Sequence, residues 1–340
     1  MRVHSMLSPA PLVSTIIPVY NRGEMLREAV ASVLAQTHRP IEVVIVDDGS
    51  TDDTPLVIAE LEAAHPGIIR GVRRENAGPG AARETGRQLA KGELIQYLDS
   101  DDLLLPGKFE GQIGALRQHP DCGIAYGMTQ HSGVGQPLGP VPFKRTGEVF
   151  EHLFPSLILS RWWSTSTPLY RREVTDGVGP WLALSNEEDW EYESRAARLG
   201  VRLAYCPEFV SVTRWHDQGR LYVGGTRDPA KLRDRALAHE RILEHAQAAG
   251  VAREQPEMAH FARALFLLCR QCGAAGLAAE SKRLFDLARE VSTPECARGW
   301  DFRLYRLAAA LLGWTRAAQL STHWDRHRPR AGAGPHSPGR

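Results

Sequence analysis

The residues best placed to do chemistry are acidic and clustered. Asp99, Asp101 and Asp102 sit in Asp99-Ser100-Asp101-Asp102, directly after the apolar run Leu94-Ile95-Gln96-Tyr97-Leu98. Carboxylates this close repel one another, so the cluster is costly unless a cation or hydrogen-bond donors offset it. A hard divalent ion that keeps some waters and also takes phosphate oxygens meets that need. A plainer role is also open, because Asp101 or Asp102 can cap a helix starting near Pro106. One aspartate suffices for that. A second acidic turn, Asp47-Asp48-Gly49-Ser50-Thr51-Asp52, follows another apolar run and is rich in turn and cap residues. A third, Glu187-Glu188-Asp189, follows Ser185 and Asn186, either of which can cap a helix whose first turn carries the acids.

These clusters need elements to hold them. Residues 13–19 (VSTIIPV) form an apolar, β-branched run that reads as a buried strand ending at Tyr20-Asn21-Arg22-Gly23. Residues 24–36 have helical spacing, with Leu26, Ala29, Val30, Val33 and Leu34 on one face. A second strand over 41–46 runs into Asp47 and Asp48, and a helix then reaches about residue 64. A third strand covers 68–73, a loop 75–80, a helix 81–90 and a fourth strand 94–98. Such alternation predicts a doubly wound, mostly parallel sheet with right-handed crossovers, which binds ligands at the carboxyl ends of its strands. No G-x-G-x-x-G follows the first strand and no G-x-x-x-x-G-K-[ST] occurs, which disfavours dinucleotide dehydrogenases and P-loop enzymes.

Further on, residues 122–129 read as a strand, 131–141 as a Gly/Pro-rich loop, and 150–158 as a helix that Pro155 interrupts. Short strands are expected at 201–205 and 209–213. Helical periodicity then dominates 230–249, 258–273, 277–291 and 302–320. The expected organisation is a loose leader (1–12), a catalytic domain (13–222), a helical region (223–320) and a disordered tail (321–340).

The net charge of +1 offers no bulk electrostatic case for binding nucleic acid. No apolar stretch approaches ~18–20 residues, so no membrane-spanning helix is expected. The N-terminus lacks the apolar core of a secretory signal. Five scattered cysteines fit a reducing compartment, and Cys269-x-x-Cys272 in a helical pattern reads as buried thiols. A cytoplasmic protein is expected. Residues 304–319, with Arg306 and Arg316, allow ordinary packing or a peripheral contact with an anionic membrane. The helical region is expected to dock on the catalytic domain, form homo-oligomers or recruit a partner.

Several pieces together resemble a family 2 inverting glycosyltransferase of the A-type, nucleotide-diphospho-sugar fold. They are Ile16-Ile17-Pro18-Val19-Tyr20-Asn21, Val44-Ile45-Val46-Asp47-Asp48-Gly49-Ser50, Asn76-x-Gly78 with Ala82-Arg83, Leu98-Asp99-Ser100-Asp101-Asp102, and Glu188-Asp189-Trp190. Their order and spacing carry the likeness, which covers residues 13 to about 220. It implies a GT-A type, mixed, mostly parallel sheet with a C-terminal helical appendage.

The resemblance also implies roles. Pro18, Tyr20, Asn21, Asp48, Asn76 and Arg83 would line the donor nucleotide, with one of Asp47 and Asp48 holding the base and the other the turn. Asp99, with Ser100, would hold the ribose. Asp101, with Asp102 and His216, would reach Mg²⁺ or Mn²⁺ on the diphosphate. Asp189 would be the general base with Glu188 beside it. From residue type alone, Trp162 or Trp163 offers an aromatic face to the acceptor or donor sugar, or one packs in the core with the other partly exposed. Processive relatives carry Gln-x-x-Arg-Trp, whereas here Ser211 stands in place of the glutamine in Ser211-Val212-Thr213-Arg214-Trp215. That departure implies one sugar per event, moved to a glycan, lipid-linked or small-molecule acceptor. Two competing readings are a catalytically silent scaffold acting through its helices and a nucleotidyltransferase. The latter needs a basic, Gly-rich loop after the first strand, which Tyr20-Asn21-Arg22-Gly23 does not supply.

Overall fold

Strand β1 (Val13–Val19) is buried along its whole length, as its unbroken apolar run requires of a strand covered on both faces. Ile17 joins one core cluster and Ile16 the other, so alternate side chains serve opposite faces of the sheet. A computed structural model describes residues 6–132, 139–215 and 228–327, the last five of them by backbone only. They fall in two units, one of Met1–Val223 with Leu237–Ala252 and one of Gly224–Ala236 with Arg253–Arg340.

The first unit is built on an eight-stranded sheet. Strands β2 (Ile41–Asp47), β3 (Ile69–Arg73) and β4 (Leu94–Tyr97) run parallel with β1. Next come β5 (Leu103–Leu104), β6 (Ile124–Ser132), β7 (Leu169–Arg171) and β8 (Leu203–Arg214), and the order across the sheet is β3-β2-β1-β4-β7-β6-β8-β5. Strand β7 is antiparallel to both its neighbours, which makes the sheet mixed. Helices α1 (Gly23–Leu34), α2 (Thr54–Ala64) and α3 (Pro79–Leu89) are the crossovers. Gly86 lets α3 lie close on β1, because a Cβ there would overlap the Ile16 side chain. Helices α4 (Lys108–Gln118), α5 (Arg172–Val178), α6 (Glu188–Arg198) and the later part of α7 (Pro229–Ala248) complete the unit.

Three local expectations change. The two short strands expected at 201–213 are one strand. Pro207, which cannot donate to a ladder, sits where the β6–β8 register shifts, so the strand continues past it. The helix expected at 150–158 is a single 3₁₀ turn, Ser156–Ile158, consistent with the donor that Pro155 removes. Neither Asp101 nor Asp102 caps α4, which begins at Lys108 after Gly107.

The second unit is helical. It holds the start of α7, then α8 (Pro256–Ala274), α9 (Ala278–Val291), α10 (Pro294–Ala297), α11 (Trp300–Leu312) and α12 (Trp314–His327). Phe266, Phe285, Phe302, Tyr305 and Trp314 meet in its interior. The helix expected over 302–320 breaks at Gly313, whose φ of 81° is costly for other residues. Residues 321–327, expected to be disordered, continue α12. Cys269 and Cys272 are buried thiols as expected, and burial pushes Cys269 up to about 11. Among the described residues no helix is long and apolar enough to cross a membrane.

Candidate active site

Because β2, β1 and β4 are parallel neighbours, their carboxyl ends open on one edge of the sheet. Pro18 lies in β1 opposite Val46. Tyr20, just past β1, is 46% exposed, enough for its ring to meet a ligand. Asn21 adopts φ 51°, a conformation asparagine tolerates. Its Oδ1 accepts from the Thr51 N–H at 2.7 Å and its own N–H donates to Ser50 Oγ at 2.9 Å, which ties the first loop to the second.

Both aspartates at the carboxyl end of β2 hold backbone. Asp47 Oδ1 accepts from the Ser50 N–H at 2.8 Å. Asp48 accepts from Gly78 N–H at 2.8 Å and Ala77 N–H at 3.2 Å, and pairs with Arg74 Nε at 3.2 Å. It thereby pins the loop 75–80, which turns at Gly78 with φ 89°. Asn76 is exposed at the tip of that loop.

The third cluster lies beyond β4, and its aspartates face different ways. Asp99 is partly exposed and accepts from Arg83 Nη2 at 2.7 Å. Ser100 is buried. Asp101 pairs with Arg22 Nη1 at 2.7 Å. Asp102 is buried and accepts from Ser166 Oγ (3.0 Å), the Arg214 N–H (3.1 Å) and Thr213 Oγ1 (3.3 Å). Burial, with the charges of Asp101 and Asp99, raises its carboxyl well above the ordinary range. Asp102 thus anchors the turn to the end of β8, its oxygens held by three internal donors.

Among the described residues no group of three or more His, Cys, Asp or Glu is arranged to hold a metal ion. Mg²⁺ and Mn²⁺ nevertheless fit the carboxylates of this turn. Mg²⁺ commonly takes one or two protein carboxylates and completes its shell with phosphate oxygens and water. Asp101, paired with Arg22 near the surface, meets that description. His216 lies outside the described residues.

The other half of the site is the start of α6. Glu187 precedes it in the left-handed region, φ 61°. Glu188 is buried against Arg83 Nη1 at 2.6 Å. Burial pushes its carboxyl up to about 7, with Arg83 opposing the rise. Asp189 is a quarter exposed and pairs with Arg161 Nη1 at 2.7 Å. It also accepts from the Trp190 N–H at 2.7 Å. Burial works to raise Asp189, but the charges of Arg161 and Arg83 outweigh it and hold the carboxyl below its ordinary value. Asp189 is therefore an ionised, reachable carboxylate at neutral pH.

Arg83 is the hinge of this arrangement. It is buried, bridges Asp99 and Glu188, and stacks over the Trp181 ring at 4.9 Å. One guanidinium thus joins the end of β4 to the start of α6.

Several functional neighbours were not legible in the sequence. Arg161 grips Asp189 and also Glu193 through two bonds of 2.9 and 2.6 Å. Lys144, itself exposed, donates to the Arg161 carbonyl at 2.8 Å. His239, on α7 and within the first unit, meets Glu187 through Nδ1 at 2.9 Å. The one signal for Arg161 was its place beside two tryptophans.

Those tryptophans correct another expectation. Trp162 and Trp163 are fully buried, 4.6 Å apart, and both pack on Tyr126. The sheet face beneath them takes their large rings into the core, so neither offers a face to an acceptor sugar. The polar residues after them reach the site instead. Ser166 holds Asp102, and Thr165 Oγ1 lies 3.4 Å from Asp189.

Residues 14–176 match the sequence profile of Glycosyl transferase family 2. They are a glycosyl transferase family 2 domain. Glu188 and Asp189 lie past the end of the match. The chain is 35% identical over 173 residues to an uncharacterized glycosyltransferase, alr2836, of Nostoc sp., which covers 49% of this chain and 53% of that protein. The chain thus spans about half the length of that relative.

In structure the chain resembles S. aureus TarS residues 1–349 in complex with UDP, with a TM-score of 0.64, 17% identity, and coverage of 92% of this chain and 91% of that one. It also resembles the mannosyltransferase PcManGT of Pyrobaculum calidifontis in complex with GDP-Man and Mn²⁺. There the TM-score is 0.50, with 19% identity over 94% and 90% of the two chains. At these identities the likeness establishes the fold: the family 2 domain has the expected A-type architecture, with helices following it.

Proposed function

We propose that the chain is an inverting, metal-dependent, non-processive glycosyltransferase. It moves a sugar from a nucleoside diphosphate donor, most simply a UDP-sugar, to a hydroxyl of a glycan, a lipid-linked glycan or a small molecule. The observation that carries this reading is the Arg83 bridge. It couples Asp99, on the donor side, to Glu188 and so to the partly exposed carboxylate of Asp189. Family membership and the UDP and GDP-Man complexes of the structural neighbours support the donor class.

In this reading Pro18, Tyr20, Asn21 and Asn76 line the nucleotide. Asp48 shapes its pocket by holding the loop at Gly78, and Asp99 takes the ribose. Asp189 accepts the proton of the acceptor hydroxyl while that oxygen bonds to the anomeric carbon. The bond to the diphosphate breaks on the opposite face, and its electron pair leaves with the nucleoside diphosphate. No covalent sugar–enzyme intermediate forms, so no nucleophilic side chain is needed. Arg161 keeps Asp189 ionised and fixes its direction. Asp101, with Asp102, would hold Mg²⁺ or Mn²⁺, which when bound offsets charge on the leaving diphosphate.

The pH dependence follows from the two neighbouring acids. Asp189 titrates below its ordinary value and contributes nothing near neutrality. Glu188 titrates near 7, and its protonation discharges one arm of the Arg83 bridge. The kcat/KM profile is therefore expected to fall on the acid side of about pH 7. In Glu188→Gln that limb disappears, and initial-rate pH profiles of the two proteins check this.

The binding half of the proposal is tested by thermal shift with UDP, GDP, dTDP and CMP, with and without Mn²⁺. A ligand at 100 times its Kd stabilises the native state by about 2.7 kcal/mol. One nucleoside diphosphate is expected to raise the melting temperature only with Mn²⁺, and Asp101→Ala is expected to lose that rise. No stabilisation by any nucleotide with metal present would favour the competing reading, a catalytically silent scaffold acting through its helices.

A further inference from the structure

Helix α11 has two apolar faces, and among the described residues only one of them is used for packing. Phe302, Tyr305 and Ala309 point into the second unit and are buried. Trp300, Leu304, Leu307 and Leu311 recur at intervals of four, three and four residues, which places them along the opposite face of the same helix. They are 76%, 59%, 56% and 74% exposed. A continuous stripe of four large apolar side chains is more than the scattered exposure a soluble surface normally shows.

The charges beside the stripe point to its partner. Arg303 and Arg306 are exposed along one flank. The only acid on α11 is Asp301, and it pairs with Arg263 at 2.7 Å. A stripe of Trp and Leu flanked by arginines has the composition of a helix that lies in the plane of an anionic lipid surface. A second copy of the chain would meet the stripe with another stripe, but its α11 brings no unpaired acid to answer the arginines.

We propose that this face of α11 docks on the surface of an anionic phospholipid membrane. The apolar side chains enter the headgroup boundary, and Arg303 and Arg306 meet lipid phosphates. The surface belongs to the second unit and stands apart from the transferase reading, so either can fail alone.

The test is co-sedimentation of the full chain with phosphatidylcholine vesicles made with and without phosphatidylglycerol, alongside its sedimentation velocity without lipid. Binding is expected only to the anionic vesicles, weakening as salt screens the arginines. Leu307→Ser with Leu311→Ser should lower binding about tenfold or more, since each exposed leucine loses its apolar transfer. Arg303→Gln with Arg306→Gln should lower it with the stripe intact. Because these side chains are exposed, all the variants should keep the wild-type melting temperature. Absence of binding to anionic vesicles would overturn the proposal, as would undiminished binding by the leucine variant. A wild-type dimer that the leucine variant makes monomeric, with no lipid binding, would assign the stripe to a second copy instead.

Discussion

Asp189→Asn is expected to lower turnover by about 10²- to 10⁴-fold, the usual contribution of a positioned general base. The substitution keeps the shape of the side chain and removes its ability to take a proton. The Asp189–Arg161 pair is partly exposed, and Arg161 retains its two bonds to Glu193, so the fold should survive. Nucleoside diphosphate binding should be unchanged, because the donor contacts lie at the ends of β1, β2 and β4. Steady-state kinetics beside a nucleotide thermal shift separates these effects. A loss of nucleotide binding equal to the loss of turnover would show that Asp189 serves the donor rather than the proton.

Arg83→Ala is expected to have the largest effect on stability, about 3–5 kcal/mol, the range for breaking a buried ion pair by removing one partner. The cost falls mainly on Glu188, which is buried and loses its partner. Asp99 is partly exposed and relaxes more cheaply. Adding Glu188→Gln to Arg83→Ala should recover part of the loss, because it removes the buried carboxyl left without its partner. Denaturant midpoints of the two single variants and the double variant measure this coupling. Strictly additive losses would mean that the bridge is incidental and that Arg83 acts through its packing on Trp181.

The sheet was legible because its strands are apolar runs bounded by Gly, Pro, Asn and Asp, and each of β1, β2 and β4 ends in the motif that its position in the fold requires. The motifs marked the correct edge of the sheet, but they did not say which way each side chain faces. Asp101 and Asp102 are adjacent in a turn, so one meets Arg22 near the surface while the other is sealed under β8. The tryptophans read ambiguously for the same reason, since residue type reveals apolar area and not the side on which it is buried.

The partners that tune the acids were hidden by distance along the chain. Arg83 and Glu188 are 105 residues apart, and Arg161 and Glu193 are 32 apart. No local period joins such pairs. The direction of β7 was not legible, because a three-residue strand carries too little pattern to declare it.

The central claim is inversion driven by Asp189, and the most direct test is time-resolved proton NMR of a turned-over donor. UDP-GlcNAc with Mn²⁺ is one starting point, with GDP-mannose in its place if the thermal shifts name guanosine. The expected result is release of the nucleoside diphosphate, with the first-formed sugar in the anomeric configuration opposite to that of the donor and no turnover in Asp189→Asn. A first-formed product that keeps the donor configuration, or unchanged turnover in Asp189→Asn, would contradict it.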